Sequence, residues 1–282
     1  MKENILIVLM IGFGIMFLYS AEKTIKVSGS TSVTPIISKA AEVYKKIYPD
    51  VRVLISPNGS GAGIQALGTG PADIAMVSRE LDPVEKQKYA TLQFQVITIA
   101  KDAVVPVVSA QVYEKISALY LEEIRKIYSG EITNWKDLGG PNNEILVIDK
   151  EASRGTRHVF MQAVFGNEKA KALGVKLVTG SNNEEQTAVA QSHSAIGMLS
   201  NAWLNDQVKG VAIKKNGKVI QPSLENVRNG SFPISRNLNL VTCGFPVGES
   251  KKFIDFILSA QGQKIVEELE YVSSSSVQRN NR

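Results

Sequence analysis

The sequence predicts a two-lobed α/β protein, on three observations. At 282 residues the chain is long enough for two lobes with separate hydrophobic cores. Short β-type runs alternate with helical patterns, which predicts a mostly parallel sheet covered by helices. Two longer extended runs, at 92–108 and 231–241, lie where the chain would cross between the lobes and return. Two crossings form a hinge, so we predict lobe one at residues 22–100 plus 236–282 and lobe two at residues 101–235.

The individual elements follow from the spacing of apolar residues. In lobe one we predict a strand at 24–27, a helix at 35–48, a strand at 51–55, a helix that opens at 63–67 and a strand at 72–77. In lobe two we predict a helix at 121–128, a strand at 145–148, a helix at 156–165 and a strand at 194–198. A single helix at 251–269 is predicted to end lobe one after the second crossing.

Three turns rich in Ser, Thr and Gly lie where a predicted strand gives way to a predicted helix. They are Ser28-Gly29-Ser30-Thr31-Ser32, Asn58-Gly59-Ser60-Gly61-Ala62-Gly63 and Lys150-Glu151-Ala152-Ser153-Arg154-Gly155-Thr156-Arg157. Any one of them would also suit an ordinary helix cap. The carboxyl ends of parallel strands meet at one edge of a sheet, however, and the N–H groups at helix starts attract anions. Together the turns predict a cradle for a tetrahedral oxyanion, in which hydroxyls, amides and cations are the donors.

Residues 1–21 are predicted to be a signal segment. Lys2 precedes an apolar run at 5–19, and the small residues Ser20 and Ala21 follow it. About 15 apolar residues suit the h-region of a signal better than a bilayer span, which needs about 20. The sequence therefore predicts export to the periplasm or to the outer face of the cell membrane. Cleavage after Ser20 or Ala21 and retention as an uncleaved anchor both stay open.

Composition and charge exclude several classes of function. The formal net charge is +5, but no run of basic residues interleaved with aromatic residues occurs, so no nucleic-acid partner is expected. Cys243 is the only cysteine, and His158 and His193 are the only histidines. This leaves no intramolecular disulfide and no ligand set for zinc. We expect neither a metal nor a cofactor.

Short segments spread over nearly the whole chain follow one another in a characteristic order. They are Gly29-Ser30-Thr31-Ser32-Val33, Gly59-Ser60-Gly61-Ala62-Gly63-Ile64, Asp73-Ile74-Ala75-Met76 with Ser78-Arg79-Glu80-Leu81, Tyr128-Ser129-Gly130-Glu131-Ile132-Thr133-Asn134-Trp135, Gly155-Thr156-Arg157, Pro222-Ser223-Leu224-Glu225-Asn226 with Gly230-Ser231-Phe232-Pro233, and Leu258-Ser259-Ala260-Gln261-Gly262-Gln263. The ordered set resembles the phosphate-binding component of ATP-driven phosphate importers, a family of periplasmic solute-binding proteins. The resemblance implies a periplasmic-binding-protein fold that closes on inorganic phosphate.

By position, the resemblance also implies the ligand-binding residues. Lobe one would supply Ser30, Thr31, Ser32, Ser60 and Ser78, and lobe two would supply Lys150, Arg154, Gly155 and Thr156. The sequence departs from the family where it has Lys150, because members usually have arginine there. A lysine is a point charge and not a bidentate fork. We expect Arg154 to compensate for it, with Ser153 in place of a hydroxyl that the family usually has.

A second departure concerns selectivity. Some members have aspartate at the position of Ser78, where it accepts the proton of HPO₄²⁻ and repels sulfate. In this chain the acceptor would have to be Glu80, Glu151 or a backbone carbonyl. Rejection of sulfate is therefore not guaranteed by the sequence.

The resemblance implies a binding protein that delivers phosphate to the permease subunits of an importer, and we expect a monomer that meets the membrane only through its N-terminal segment or the permease. Sulfate, molybdate or another oxyanion stays open as the ligand. An enzyme that acts on a phosphoryl substrate, with His158 or Asp149 as base, is the alternative class. No Gly-x-Ser-x-Gly elbow, no phosphate-binding Gly-x-x-x-x-Gly-Lys loop and no carboxylate cluster favours it.

Overall fold

The structure is a computed structural model and describes residues 22–274. The predicted signal segment at 1–21 lies outside the described residues. Within residues 22–274, no helix is both long enough and apolar enough to cross a membrane.

Strands and helices alternate along most of the described chain. The strands are β1 (Lys23–Gly29), β2 (Val51–Ser56), β3 (Ile74–Val77), β4 (Phe94–Ser109), β5 (Ala118–Tyr120), β6 (Leu146–Lys150), β7 (Leu177–Thr179), β8 (Ala195–Ser200), β9 (Val208–Gly210), β10 (Ala212–Lys215), β11 (Lys218–Ile220), β12 (Ser235–Cys243) and β13 (Val272–Ser273). The α-helices are α1 (Thr34–Ile47), α2 (Ser60–Thr69), α3 (Pro83–Lys88), α4 (Ala110–Tyr113), α5 (Leu121–Ser129), α6 (Gly155–Phe165), α7 (Asn182–Ala190), α8 (Leu224–Arg228), α9 (Gly248–Leu258) and α10 (Ala260–Glu268). Short 3₁₀ turns occupy Ala90–Leu92, Trp135–Leu138 and Asn201–Trp203.

One long sheet runs through the molecule, with strand order β2-β1-β3-β12-β4-β8-β6-β7. The outer strands β2, β1 and β3 are parallel, as are β8, β6 and β7. Strands β12 and β4 lie between these two groups and pair antiparallel with each other. The first half of β4 pairs with β12 and the second half with β8. The two predicted crossings are therefore adjacent strands, which is the arrangement expected of a hinge.

Two main hydrophobic clusters flank these central strands. The cluster of lobe one packs Ile25 and Met76 of the sheet against Ile37 of α1 and Phe253 of α9. A smaller cluster under α2 completes this lobe. The cluster of lobe two includes the run Ala103 to Val108 of β4 and large side chains such as Tyr128, Trp135 and Phe160. Each lobe thus buries its own core, and we keep the predicted division near residues 100 and 236 as a proposal.

The first crossing is one unbroken strand, whereas the sequence predicted an interruption at Lys101-Asp102. Asp102 is fully buried, and its carboxylate forms an ion pair with Arg236 of β12 at 2.7 Å. Because the charge is compensated across the strand pair, the strand tolerates a carboxylate at its centre. Asp102, which suggested from the sequence that the strand is interrupted, therefore links the two crossing strands.

The predicted single helix at 251–269 is two helices that meet at Ser259. The side chain of Ser259 accepts a hydrogen bond from the backbone N–H of Gly262 at 3.2 Å, as an N-cap does. A Cβ atom at Gly262 would lie 2.2 Å from the carbonyl oxygen of Phe256. Only glycine allows this close approach, so the cap and the glycine together end one helix and begin the next.

Candidate functional site

Serine hydroxyls from three turns of lobe one meet at the carboxyl edge of the sheet. Ser30 Oγ donates to Ser78 Oγ at 2.8 Å, and Ser60 Oγ lies 3.3 Å from Ser78 Oγ. The N–H of Ser78 also donates to Ser60 Oγ at 3.2 Å. All three side chains are buried. Ser30 follows β1, Ser60 follows the turn after β2, and Ser78 follows β3, so the parallel strands deliver the three hydroxyls to one point.

A second set of polar groups brings lobe two to the same place. Ser32 Oγ lies 3.3 Å from Thr156 Oγ1 and accepts a hydrogen bond from Asn182 Nδ2 at 3.1 Å. Thr156 and Asn182 belong to lobe two and are buried. The oxygen of the Asn182 side chain is buried and accepts no hydrogen bond from the described residues. The site thus joins both lobes and keeps one acceptor free.

Arg236, at the lobe-two end of β12, supplies the central cation. Its guanidinium donates to Thr156 Oγ1 and Ser32 Oγ, each at 3.0 Å, and to the carbonyl oxygen of Ser78 at 3.2 Å. Its Nε and Nη2 donate to Asp102 at 3.0 and 2.7 Å. Full burial raises the pKa of the Asp102 carboxyl, and the arginine opposes this change. Asp102, which also accepts from Ser200 at 2.9 Å, fixes the guanidinium on the hinge.

Four helix N-termini point toward these groups. Helix α2 begins at Ser60, α6 at Gly155 and α7 at Asn182, while the Ser30–Ser32 turn leads directly into α1. Each N-terminus carries free N–H groups and a partial positive charge of about half an elementary charge. Four of them at one group of hydroxyls, together with a guanidinium, make the site favourable for an anion.

The lobes approach each other closely at Gly155. A Cβ atom there would lie 2.5 Å from both Ser60 Oγ and Ser78 Oγ, which belong to the other lobe. Nearby, the N–H of Gly61 donates to the carbonyl oxygen of Ser153 at 3.2 Å, again across the lobes. The structure is therefore a closed form in which a glycine lets the first turn of α6 reach the lobe-one hydroxyls.

Lys150 lies behind the start of α7, and the structure gives it a carboxylate partner. Its ammonium forms an ion pair with Glu185 and donates to the carbonyl oxygen of Ser181 at 3.3 Å. Both side chains are almost fully buried. Burial lowers the pKa of the lysine and raises the pKa of the glutamate, and their pairing opposes both changes. Glu185 also accepts from the N–H of Met198 at 2.6 Å, which holds the pair against β8.

Arg154 lies at the rim of the site. Its Nε and Nη2 donate to Glu151 at 2.9 and 2.6 Å. Its Nη1 is buried without a hydrogen-bond partner and would lie 3.1 Å from a Cβ at Gly59. The guanidinium therefore reaches across to the glycine turn of lobe one, with both N–H groups of Nη1 unused.

The geometry has close counterparts among known proteins. The model of the PBP superfamily domain matches residues 20–261. The phosphate-binding protein PstS of Borreliella burgdorferi is 30% identical over 278 residues, which covers 95% of this chain and 97% of the relative. A crystal structure of a phosphate ABC transporter substrate-binding protein with bound phosphate, from Clostridium perfringens, is 33% identical with a TM-score of 0.81. The alignment covers 89% of this chain and 99% of that one.

The chain belongs to the phosphate-binding proteins of the PBP superfamily. An ABC-type phosphate transport receptor from Vibrio cholerae agrees, at 32% identity and a TM-score of 0.70, over 88% of this chain and 99% of that one. The resemblance inferred from the ordered motifs is therefore confirmed, as is the α/β periplasmic-binding-protein fold.

Five of the ligand-binding residues predicted from the sequence have their hydroxyl group where the two lobes meet. They are Ser30, Ser32, Ser60, Ser78 and Thr156. Gly155 contacts the same hydroxyls by its position in the backbone, and Thr31 lies half-buried in the turn between two of them. Lys150 and Arg154 have carboxylate partners of their own. The ligand roles of all these residues, Lys150 and Arg154 included, stay predictions.

Sequence reasoning missed Arg236, Asp102 and Asn182. Arg236 lies in an extended run whose neighbouring residues do not form a Ser/Thr/Gly turn typical of anion binding. Its partner Asp102 is far away in the sequence. The one available signal was a charged residue inside each predicted crossing, since two opposite charges in adjacent buried strands are expected to pair. Asn182 is the first residue of α7, a helix that was not predicted from the sequence.

The buried pair of Lys150 and Glu185 allows a stability prediction. We expect Lys150→Met to lower the free energy of unfolding by about 3–5 kcal/mol, because it leaves a buried carboxylate without its partner. Adding Glu185→Gln should restore a large part of the loss. Urea unfolding of both variants and of the parent measures this. Equal stability of Lys150→Met and the parent would show that the ion pair does not contribute this much to the free energy of unfolding.

Proposed function

We propose that the protein binds inorganic phosphate between its lobes and delivers it to an ATP-driven membrane importer. The observation that carries the proposal is the convergence of four helix N-termini and five hydroxyl groups where the lobes meet, with the Arg236 guanidinium donating to two of these hydroxyls. Short hydroxyls, backbone amides and one fixed cation are the donors that a dehydrated tetrahedral oxyanion needs. The relatives are named for phosphate binding, and one solved neighbour holds phosphate.

In this proposal the ligands come from both lobes and from the hinge itself. Ser30, Ser60 and Ser78 donate from lobe one and Thr156 from lobe two. Arg236, whose N–H groups are engaged by Asp102, Ser78, Ser32 and Thr156, supplies positive charge and holds the hydroxyls in place. Charge-assisted hydrogen bonds contribute about 1.5–3 kcal/mol each. A few of them reach the roughly 8 kcal/mol of micromolar binding even after the cost of closure is subtracted. When the lobes close, these groups would replace the water molecules that hydrate phosphate.

Asn182 supplies the proton acceptor that the sequence left open. Its side-chain oxygen is buried beside Ser32 and accepts no hydrogen bond from the described residues. HPO₄²⁻ carries one proton to donate, whereas sulfate carries none. The sequence left Glu80, Glu151 or a backbone carbonyl open as the acceptor, and Glu151 is engaged by Arg154. We therefore propose that Asn182 favours phosphate over sulfate by accepting this proton.

We propose a binding function and not catalysis. The two bases considered from the sequence have other partners, since Asp149 pairs with Arg157 at 2.9 Å and His158 Nε2 lies 2.7 Å from the carbonyl oxygen of Ala152. Within residues 22–274 no cluster of three His, Cys, Asp or Glu offers a metal site. We further propose a monomer that is exported and that hands phosphate to permease subunits.

Calorimetric titration of the protein with phosphate, sulfate and molybdate tests the proposal. We expect phosphate to bind with micromolar or tighter affinity and sulfate to bind at least about tenfold more weakly, because a single lost hydrogen bond at a buried acceptor costs about 1.4 kcal/mol or more. Tighter binding of sulfate or molybdate would move the function to another oxyanion. Absence of heat with all three anions, or turnover of a chromogenic phosphate ester, would contradict a phosphate-binding role.

A further inference from the structure

A cavity of about 320 Å³ lies between the lobes, and no part of the proposed phosphate function uses it. Arg79 and Glu80 line it from lobe one, directly after the site residue Ser78. His158 and Glu168 line it from lobe two, on α6 and just beyond its end. Because its walls belong to different lobes, the cavity is complete only in the closed form. We call it the inter-lobe cavity.

Two hydrogen-bond acceptors lie close together in the inter-lobe cavity without a donor between them. His158 Nε2 lies 2.7 Å from the carbonyl oxygen of Ala152, and a carbonyl only accepts, so Nε2 carries the proton of the neutral ring. Nδ1 is then an acceptor. It is buried without a hydrogen-bond partner among the described residues, 3.6 Å from Glu168 Oε2. Burial and the nearby Arg79 lower the pKa of His158, which keeps the ring neutral at neutral pH.

The inter-lobe cavity also carries uncompensated negative charge. Glu80 and Glu168 approach it from opposite lobes. Within residues 22–274, neither carboxylate forms an ion pair with a lysine or an arginine. Closing the lobes therefore brings two like charges to the same cavity, and a cation bound there would offset their repulsion.

The cations beside the cavity are compensated by other carboxylates. Arg79 donates through Nη1 and Nη2 to Glu85, at 2.8 and 2.6 Å, and Lys169 forms an ion pair with Asp82 at 3.0 Å. The Nε of Arg79 is different, because it is buried and has no hydrogen-bond partner in the described chain. The cavity thus offers one unused donor from lobe one and two acceptors from lobe two.

The remaining wall of the inter-lobe cavity is largely apolar, and it includes Val159, Ala163, Pro233 and Ile234. This set of groups suits a small organic cation. A primary ammonium has three N–H donors, which is enough for His158 Nδ1 and the Glu168 carboxylate together. A hydroxyl group on the same molecule would accept from Arg79 Nε, and its methylene groups would pack against the apolar wall.

We propose that the inter-lobe cavity binds a small amino alcohol, of which ethanolamine is the simplest, with its ammonium on His158 and Glu168 and its hydroxyl on Arg79. Because these residues belong to both lobes, the amine binds the closed form. It therefore tightens phosphate binding by the same factor by which phosphate tightens amine binding. This coupling rests on the proposed phosphate function, whereas the site itself does not.

Nitrogen-15 NMR of the imidazole groups, in the chain with and without phosphate, tests the site. His158 and His193 are the only histidines, and His193, which does not line the cavity, is the internal reference. Before the amine is added, we expect the Nδ1 of His158 to have the shift of an unprotonated nitrogen. Ethanolamine should then move this signal until the site is saturated and leave His193 unchanged. Ethylammonium, which lacks the hydroxyl, should bind about tenfold more weakly, and ethylene glycol should cause no shift.

Glu168→Gln is the variant that tests the ammonium contact. It removes the charge and keeps the shape of the side chain, so we expect ethanolamine to bind about tenfold more weakly or worse. Asp206→Asn is the matched control, because it removes the same charge from a fully exposed carboxylate of the same lobe. Ethanolamine binding should be unchanged in this control. In calorimetric titrations, ethanolamine should tighten phosphate binding to the parent chain and to Asp206→Asn, but not to Glu168→Gln.

Several outcomes would overturn the amino-alcohol site. A protonated Nδ1 before the amine is added would mean that Glu168 already has its donor. Equal binding of ethanolamine, ethylammonium and magnesium would show only attraction to negative charge, and no shift of His158 in either condition would show that the cavity takes no amine. Amine binding that is the same with and without phosphate would keep the site and contradict the coupling. Phosphate that does not bind would contradict the proposed function instead.

Discussion

Replacing Arg236 with lysine is expected to weaken phosphate binding by about 10- to 100-fold, because one or two of the charge-assisted hydrogen bonds that hold the hydroxyls of Ser32 and Thr156 in place are lost. The guanidinium reaches hydroxyls of both lobes while two of its nitrogens are held by Asp102. A lysine ammonium at the same place keeps the charge. It lacks the planar fork that lets arginine donate to Asp102 and to the site hydroxyls at the same time. Calorimetric titration with phosphate measures the effect.

Arg154→Lys is the matched control for this variant. It makes the same change at the other guanidinium near the site, whose hydrogen bonds go to Glu151. We expect a smaller loss of affinity there than at Arg236. The opposite order, with a large loss at Arg154 and none at Arg236, would assign the anion-binding guanidinium to Arg154, as the sequence predicted. Thermal unfolding without phosphate shows whether either variant has lost its fold.

Gly155→Ala is expected to weaken phosphate binding by about 10- to 100-fold as well, but by a different cause. The added methyl group would lie 2.5 Å from Ser60 Oγ and Ser78 Oγ, so the lobes cannot close fully without moving two ligands. Overpacking of this kind costs about 1–3 kcal/mol. Calorimetry measures the affinity, and small-angle scattering measures whether phosphate still compacts the protein.

Stability without ligand serves as the internal control for Gly155→Ala. The residue is the first of α6, it is not among the glycines with positive φ, and alanine favours helices over glycine. The melting temperature without phosphate is therefore expected to stay the same or to rise. Tight phosphate binding together with normal compaction would show that the contact at Gly155 does not limit closure.

Most of the fold follows from local sequence patterns. Helix α1, strands β1 to β3 and helix α6 lie within a few residues of their predicted positions, because alternating apolar residues and turn residues act over short distances. Two predictions were wrong, for different reasons. Asp102 did not interrupt β4, since a partner distant in the sequence compensates its charge. Ser259 and Gly262 divided the terminal helix through a cap that the apolar spacing does not reveal.

The sequence by itself determined the class of ligand site, because the Ser/Thr/Gly turns and the helix starts that follow them are local features. Ser30, Ser60 and Thr156 lie in those turns, whereas Ser78 was named only from the family resemblance. Only the tertiary structure decided which cation lies among them. Lys150 forms an ion pair with Glu185, and Arg154 forms one with Glu151. Arg236 instead donates to the hydroxyls of Ser32 and Thr156. The physical reason is that a buried charge is placed by its nearest compensating charge, which strand pairing and lobe closure set and which sequence spacing does not.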